Sequence, residues 1–116
     1  MLETKTVSEI INHLKSKDLS IKEVIEYYLN NIEKLNPKIN SIVSIKNKKE
    51  IIEEAEKKSN TKFCGLPIAV KDLSDVVGFY TTYGYPGTKN YSPSKNSLFV
   101  DKLLEAGITI IGKTNT

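Results

Sequence analysis

Arginine, glutamine and tryptophan are all missing from this 116-residue sequence, so its 17 basic residues are all lysine. Proteins that read nucleic acid use arginine for bidentate contacts to bases and phosphates. Its absence, with a net charge of only +3, argues against specific nucleic-acid recognition. The lysines are spread along the chain, as expected of solvated helix faces. A single cysteine, Cys64, excludes a disulfide framework and a multi-cysteine zinc site. The single histidine, His13, has no second ligand or nucleophile spaced to use it. No cofactor and no metal are therefore expected. No apolar run approaches the roughly 18 residues that span a bilayer. Residues 1–5 lack the basic and apolar pattern of a secretory leader, so a cytoplasmic protein with no membrane partner is expected.

What is present is ordinary globular material: 39% apolar and 27% charged residues, enough for one domain with a real core. The first half reads as helices. Thr6-x-x-Glu9 is a capping box ahead of an apolar stripe at Val7, Ile10, Ile11 and Leu14. Ser20-x-x-Glu23 is a second, ahead of a stripe at Ile21, Val24, Ile25, Tyr28, Ile32 and Leu35. That helix is predicted to stop before Pro37. Residues 39–45 alternate as a short strand or an extended link. Residues 47–58 read as a surface helix with a thin buried face at Ile51, Ile52 and Ala55.

The second half changes character. Leu66 to Val70 is a continuous apolar run, predicted to be a strand buried on both faces. A long loop rich in Gly, Thr and Ser covers residues 74–94, a length that usually signals function. Residues 97–106 read as a helix with Phe99, Val100, Leu103 and Leu104 on one side. Ile108 to Ile111 closes the chain as a short strand, predicted to lie beside Leu66–Val70. The order predicts an α/β domain, with 1–60 as a helical N-terminal region and 61–116 as the start of an α/β core. An ending directly after a strand suggests the opening of a larger domain.

Gly107-x-x-x-x-Gly112-Lys113-Thr114 matches the phosphate-loop pattern. The context opposes it. A phosphate loop follows a strand and opens a helix. Here a helix precedes, and the intervening Ile108, Thr109, Ile110 and Ile111 are strand formers. Cys64, before the buried strand, reads as a small apolar residue. Lys71 carries more interest. It ends the apolar run and opens the Gly/Thr loop, and ligands in α/β sheets sit at the C-terminal ends of strands. Burial favours the neutral form of a lysine, and a neutral lysine can activate a hydroxyl nucleophile. Asp72 points to the opposite face if the strand persists.

Three blocks occur in order: Gly65-Leu66-Pro67-Ile68-Ala69-Val70-Lys71-Asp72, Gly78-x-x-Thr81-Thr82-x-Gly84, and Leu103-x-Glu105-Ala106-Gly107-Ile108-x-Ile110-Ile111-Gly112-Lys113-Thr114-Asn115. Together they resemble the N-terminal part of the amidase signature family. That family includes amidases and the A subunit of the glutamyl-tRNA(Gln) amidotransferase. The resemblance implies that family's fold: leading helices, then the first strands of a mixed sheet. It also implies hydrolysis of carboxamide C–N bonds by a Ser–cis-Ser–Lys triad, in which Lys71 falls on the catalytic lysine. Both serines of that triad belong to a Gly/Ser-rich segment that this sequence does not contain, so Ser74, Ser92, Ser94 and Ser97 are not nucleophiles on this reading. The 116 residues alone are accordingly expected to be inactive and to fold poorly. The implied partners are a small amide substrate and, in the amidotransferase version, the other subunits of that complex. A non-catalytic short interaction module is the alternative. Leu73, Tyr85 and Asn96-Ser97 depart from the family's usual residues at their positions.

Overall fold

The computed structural model describes residues 2–116; Met1, and with it the start of the leader reading over residues 1–5, lies outside the described residues. The elements run in the order α1 (Val7–Ser16), α2 (Ile21–Ile39), β1 (Ile42–Ile45), α3 (Lys48–Glu56), β2 (Pro67–Lys71), α4 (Leu98–Glu105) and β3 (Thr109–Thr114), with single 3-10 turns at Leu2–Thr4 and Pro86–Thr88. This is the α/β class that the sequence predicts.

Both capping boxes form. Glu9 N–H donates to Thr6 Oγ1 at 3.1 Å, and Thr6 N–H donates to Glu9 Oε1 at 2.9 Å. The Thr6 backbone N–H, and after it the Thr6 side chain, holds the Glu9 carboxyl below its ordinary value. Ser20 and Glu23 repeat the exchange at the start of α2. His13 sits half-exposed near the end of α1, with Nδ1 3.3 Å from Asp18 Oδ2.

Helix α2 does not stop before Pro37. It runs through the proline to Ile39 and ends at Asn40, which is left-handed at φ 48°. A proline near a helix end removes only one late backbone hydrogen bond, so the final turn survives. Asn36 supplies compensation: its side chain accepts from Ile42 N–H and donates to Ile42 O, each at 2.8 Å. The end of the helix is thereby tied to the start of β1. Leu35, expected on the buried stripe, is exposed, as is Phe99 of α4. Only Val100 is buried in that helix; Leu103 and Leu104 pack partly against the core.

The strand order is β1-β3-β2. β3 is central, antiparallel to β1 and parallel to β2, so the two apolar runs share one sheet as predicted. β3 is longer than expected: Gly112, Lys113 and Thr114 continue it. The phosphate-loop pattern is therefore strand, which leaves no loop of N–H groups to cradle a phosphate. Gly112 is required at its position because a Cβ would stand 2.7 Å from Ser44 O of the neighbouring strand.

β2 is not buried on both faces. Pro67, Ile68 and Ala69 are half-buried and only Val70 is fully covered. It lies at the edge of the described sheet. Two apolar clusters fill the interior. One joins Ile10, Val24, Leu66, Val70, Phe79, Val100 and Ile110. The other packs Ile25 against Ile51, Ile52, Ala55 and Ile111. Adjacent residues of α2 and of β3 thus serve different clusters. Cys64 is buried, as its apolar reading requires, and takes a left-handed φ of 54°. Among the described residues no helix is long and apolar enough to cross a membrane.

Candidate active site

The parallel pair β2 and β3 ends at one edge of the sheet. Their register aligns Val70 with Lys113 and Lys71 with Thr114. Side chains alternate across a strand. Lys71 is accordingly exposed, while its neighbour Asp72 is buried at 2% exposure on the opposite side. The structure brings Lys71 to the strand end in solvent, not into the desolvated setting that a preceding apolar run suggested. The half-open β2 accounts for this. Among the described residues its ammonium has no hydrogen-bond or ion-pair partner.

Asp72 and Lys113 form the polar centre beneath it. Lys113 is fully buried, and its Nζ lies 3.2 Å from Asp72 Oδ1. The same ammonium donates to Tyr80 O at 3.2 Å and to Thr81 Oγ1 at 3.3 Å. All three of its N–H donors are thus used, which is what a buried ammonium requires. Asp72 is equally satisfied: Oδ1 accepts from Thr82 N–H at 3.1 Å, and Oδ2 accepts from the Thr82 hydroxyl.

The loop after β2 folds back over this pair. Asp72 N–H donates to Thr114 O at 3.0 Å, and Tyr83 N–H donates to Asp72 O at 3.0 Å. Thr82 to Tyr85 forms a tight turn closed by Tyr85 N–H on Thr82 O at 2.9 Å. Its two central residues, Tyr83 and Gly84, have φ of 56° and 69°, the pattern of a type I′ turn. A Cβ on Gly84 would stand 2.5 Å from Thr116 Oγ1, so the turn lies against the chain leaving β3.

Two of the four serines have backbone-directed roles here. Ser97 caps α4 by accepting from Val100 N–H. The Ser74 N–H closes a turn on Lys71 O at 3.1 Å. A groove of about 530 Å³ lies elsewhere, between α2 and the end of β1, and is lined by Leu29, Ile32, Asn36, Ile45 and Lys46. It contains none of the strand-end residues. Sequence reasoning missed Lys113, which it weighed only as a phosphate ligand. The available signal was strand periodicity: a lysine two residues beyond Ile111, on a strand predicted to pair with one that ends in Lys71-Asp72.

Comparison with known proteins decides the family. The model of the family described as Amidase matches residues 23–116. The chain belongs to the amidase family. It is 33% identical over 120 residues to the A subunit of the glutamyl-tRNA(Gln) amidotransferase of Thermoanaerobacter pseudethanolicus, covering 98% of this chain and 25% of that protein. The corresponding protein of Sulfolobus acidocaldarius is 33% identical over 112 residues, covering 94% and 24%. Among solved structures, an amidase family protein from Bacillus anthracis superposes with a TM-score of 0.82 at 26% identity, covering 97% of this chain and 24% of that one. A bacterial aryl acylamidase of the amidase signature family gives 0.83 at 24% identity, covering 97% and 25%, a likeness of fold. The chain therefore spans about a quarter of the length of the curated relatives it matches.

Proposed function

We propose that this chain supplies the general-base lysine, Lys71, of a serine-dependent carboxamide hydrolase, and forms the opening part of that enzyme's α/β domain. The observation that carries the reading is the strand-end position of Lys71. In a chain of the amidase family, its amine stands unpaired beside the ends of two parallel strands, while the adjacent carboxylate is consumed by another lysine. The Lys71 amine is thus left without a carboxylate partner and open to a hydroxyl group brought to the strand end.

The chemistry follows from the family. Lys71 Nζ takes a proton from a bridging serine hydroxyl, which takes one from the acylating serine. The serine oxygen then attacks the carboxamide carbon, the C–N bond breaks, and ammonia or an amine leaves with the returned proton. Water hydrolyses the acyl-enzyme by the same route. Both serines and the oxyanion donors come from residues outside this sequence.

Glutamine as the amide is the second reading, favoured by the relatives from the amidotransferase at 33% identity. The released ammonia would then pass to a partner protein. The test is to express the protein from its whole reading frame and to measure ammonia release from simple carboxamides and from glutamine. Lys71→Ala is expected to lower turnover by about a hundredfold or more with an unchanged melting temperature. A loss smaller than about tenfold overturns the assignment. A preference for glutamine that depends on a co-expressed partner selects the second reading.

A further inference from the structure

We propose that the buried Asp72–Lys113 pair, together with Thr82, is a positioning device that fixes where the Lys71 amine stands. The inference rests on the reading of Lys71 as the base. Lys71 itself makes no side-chain contact that would hold it, so its place is set by its backbone. That backbone is paired with Thr114 in the ladder, closed by Ser74 N–H on Lys71 O at 3.1 Å, and held on its C-terminal side through Asp72. The Asp72 N–H is bound to β3 through Thr114 O, and its C=O is bound to the loop through Tyr83 N–H. Its carboxylate is bound to the same two elements, to β3 through Lys113 and to the loop through Thr82. Four anchors therefore act on the residue directly after Lys71. The Lys113 ammonium extends the hold to Tyr80 O and Thr81, the two residues before Thr82.

A buried ion pair is a weak source of net stability, because desolvating both charges offsets most of their attraction. Its directional bonds are a different matter. They specify one arrangement of strand end and loop. The pair also accounts for both buried charges beside the site, leaving Lys71 as the adjacent amine without a counter-ion. Displacing a reacting group by about 1 Å can cost about a hundredfold in rate. Small shifts in this clamp should therefore appear in kcat before they appear in substrate binding.

The test uses the protein expressed from its whole reading frame. Thr82→Val removes the hydroxyl that donates to Asp72 and accepts from Gly84 N–H at 3.2 Å, at a half-buried loop position, and keeps the Thr82 N–H bond to Asp72. It is expected to lower kcat about tenfold with KM within about twofold, and Thr82→Ser, which keeps the hydroxyl, is expected to restore it. The paired change Asp72→Leu with Lys113→Met replaces the ion pair by apolar side chains. It should melt cooperatively yet lose at least as much kcat. Ile110→Val, a core change of modest cost, should leave kcat alone. Turnover by Thr82→Val within about twofold of the parent overturns the inference, as does a loss that Thr82→Ser fails to restore. Lys71→Ala is assayed alongside. If it abolishes turnover while the clamp variants keep theirs, only the positioning inference fails. If it retains turnover, or if the complete protein hydrolyses no carboxamide, the reading of Lys71 fails as well.

Discussion

Two lysines end the two parallel strands, one register step apart, and they live in opposite environments. Lys71 closes β2 and faces solvent; Lys113, near the end of β3, is fully buried among Asp72, Tyr80 O and Thr81. The side chains are chemically identical. What separates them is strand position. β3 is the central strand and is buried over nearly its whole length, whereas β2 is an edge strand with one residue fully covered. A lysine on a covered strand must have every N–H donor satisfied and becomes structural. A lysine at an open strand end is left available for chemistry. The comparison shows that a motif lysine is assigned by its burial and partners, not by the letters around it.

The contrast can be broken most strongly by substitution at the two sites. Lys113→Ala leaves the Asp72 carboxylate buried without its cation, and should destabilise the fold by about 3–5 kcal/mol. Lys71→Ala should stay within about 0.5 kcal/mol of the parent. Denaturant titration of both variants measures the difference; equal losses would erase the distinction. Next in size is Gly112→Ala. A Cβ there meets Ser44 O at 2.7 Å, so β1 and β3 must separate, at about 1–3 kcal/mol. If that variant melts with the parent, β1 is not seated against β3 as described.

Smaller effects belong to the helical half, away from the strand ends. Ser20→Ala removes the cap of α2 and should cost about 1 kcal/mol. The same change at Ser97, the cap of the short α4, should cost a comparable amount. The smallest effect is a pH dependence. The Glu9 carboxyl is held below its ordinary value by the Thr6 backbone N–H and then by the Thr6 side chain. Its contribution is therefore complete above the unfolded carboxyl's range and declines as pH falls through the lowered folded value. Glu9→Gln should flatten the acid side of the stability curve slightly, below about pH 4.5. A variant whose acid side superposes on that of the parent would remove Glu9 from the account.

Much of the fold was legible because the relevant physics is local. The capping boxes at Thr6 and Ser20, the stripe at Val24 and Ile25, and the two apolar strands all follow from periodicity and from backbone donors that need partners. The errors lie where tertiary context overrides a local rule. Pro37 reads as a stop, but Asn36 ties the helix end to Ile42 and the last turn persists. Phe99 and Leu35 fit helical stripes, yet their helices turn other residues inward. At the candidate site, the strand-end position of Lys71 was legible from the apolar run before it. Lys113 was not, because its role depends on which residue β2 aligns with β3, and pairing register is not written in either strand alone. Its resemblance to a phosphate-loop lysine drew attention to the wrong chemistry.

The division of labour between the two lysines is tested most directly by residue-resolved amine acylation of the folded protein, read by mass spectrometry. Lys71 should react at the rate of the surface lysines, such as Lys102. Lys113 should be protected until the chain unfolds, with its labelling rate rising together with loss of structure in denaturant. Labelling of Lys113 as fast as Lys71 under native conditions would contradict the account.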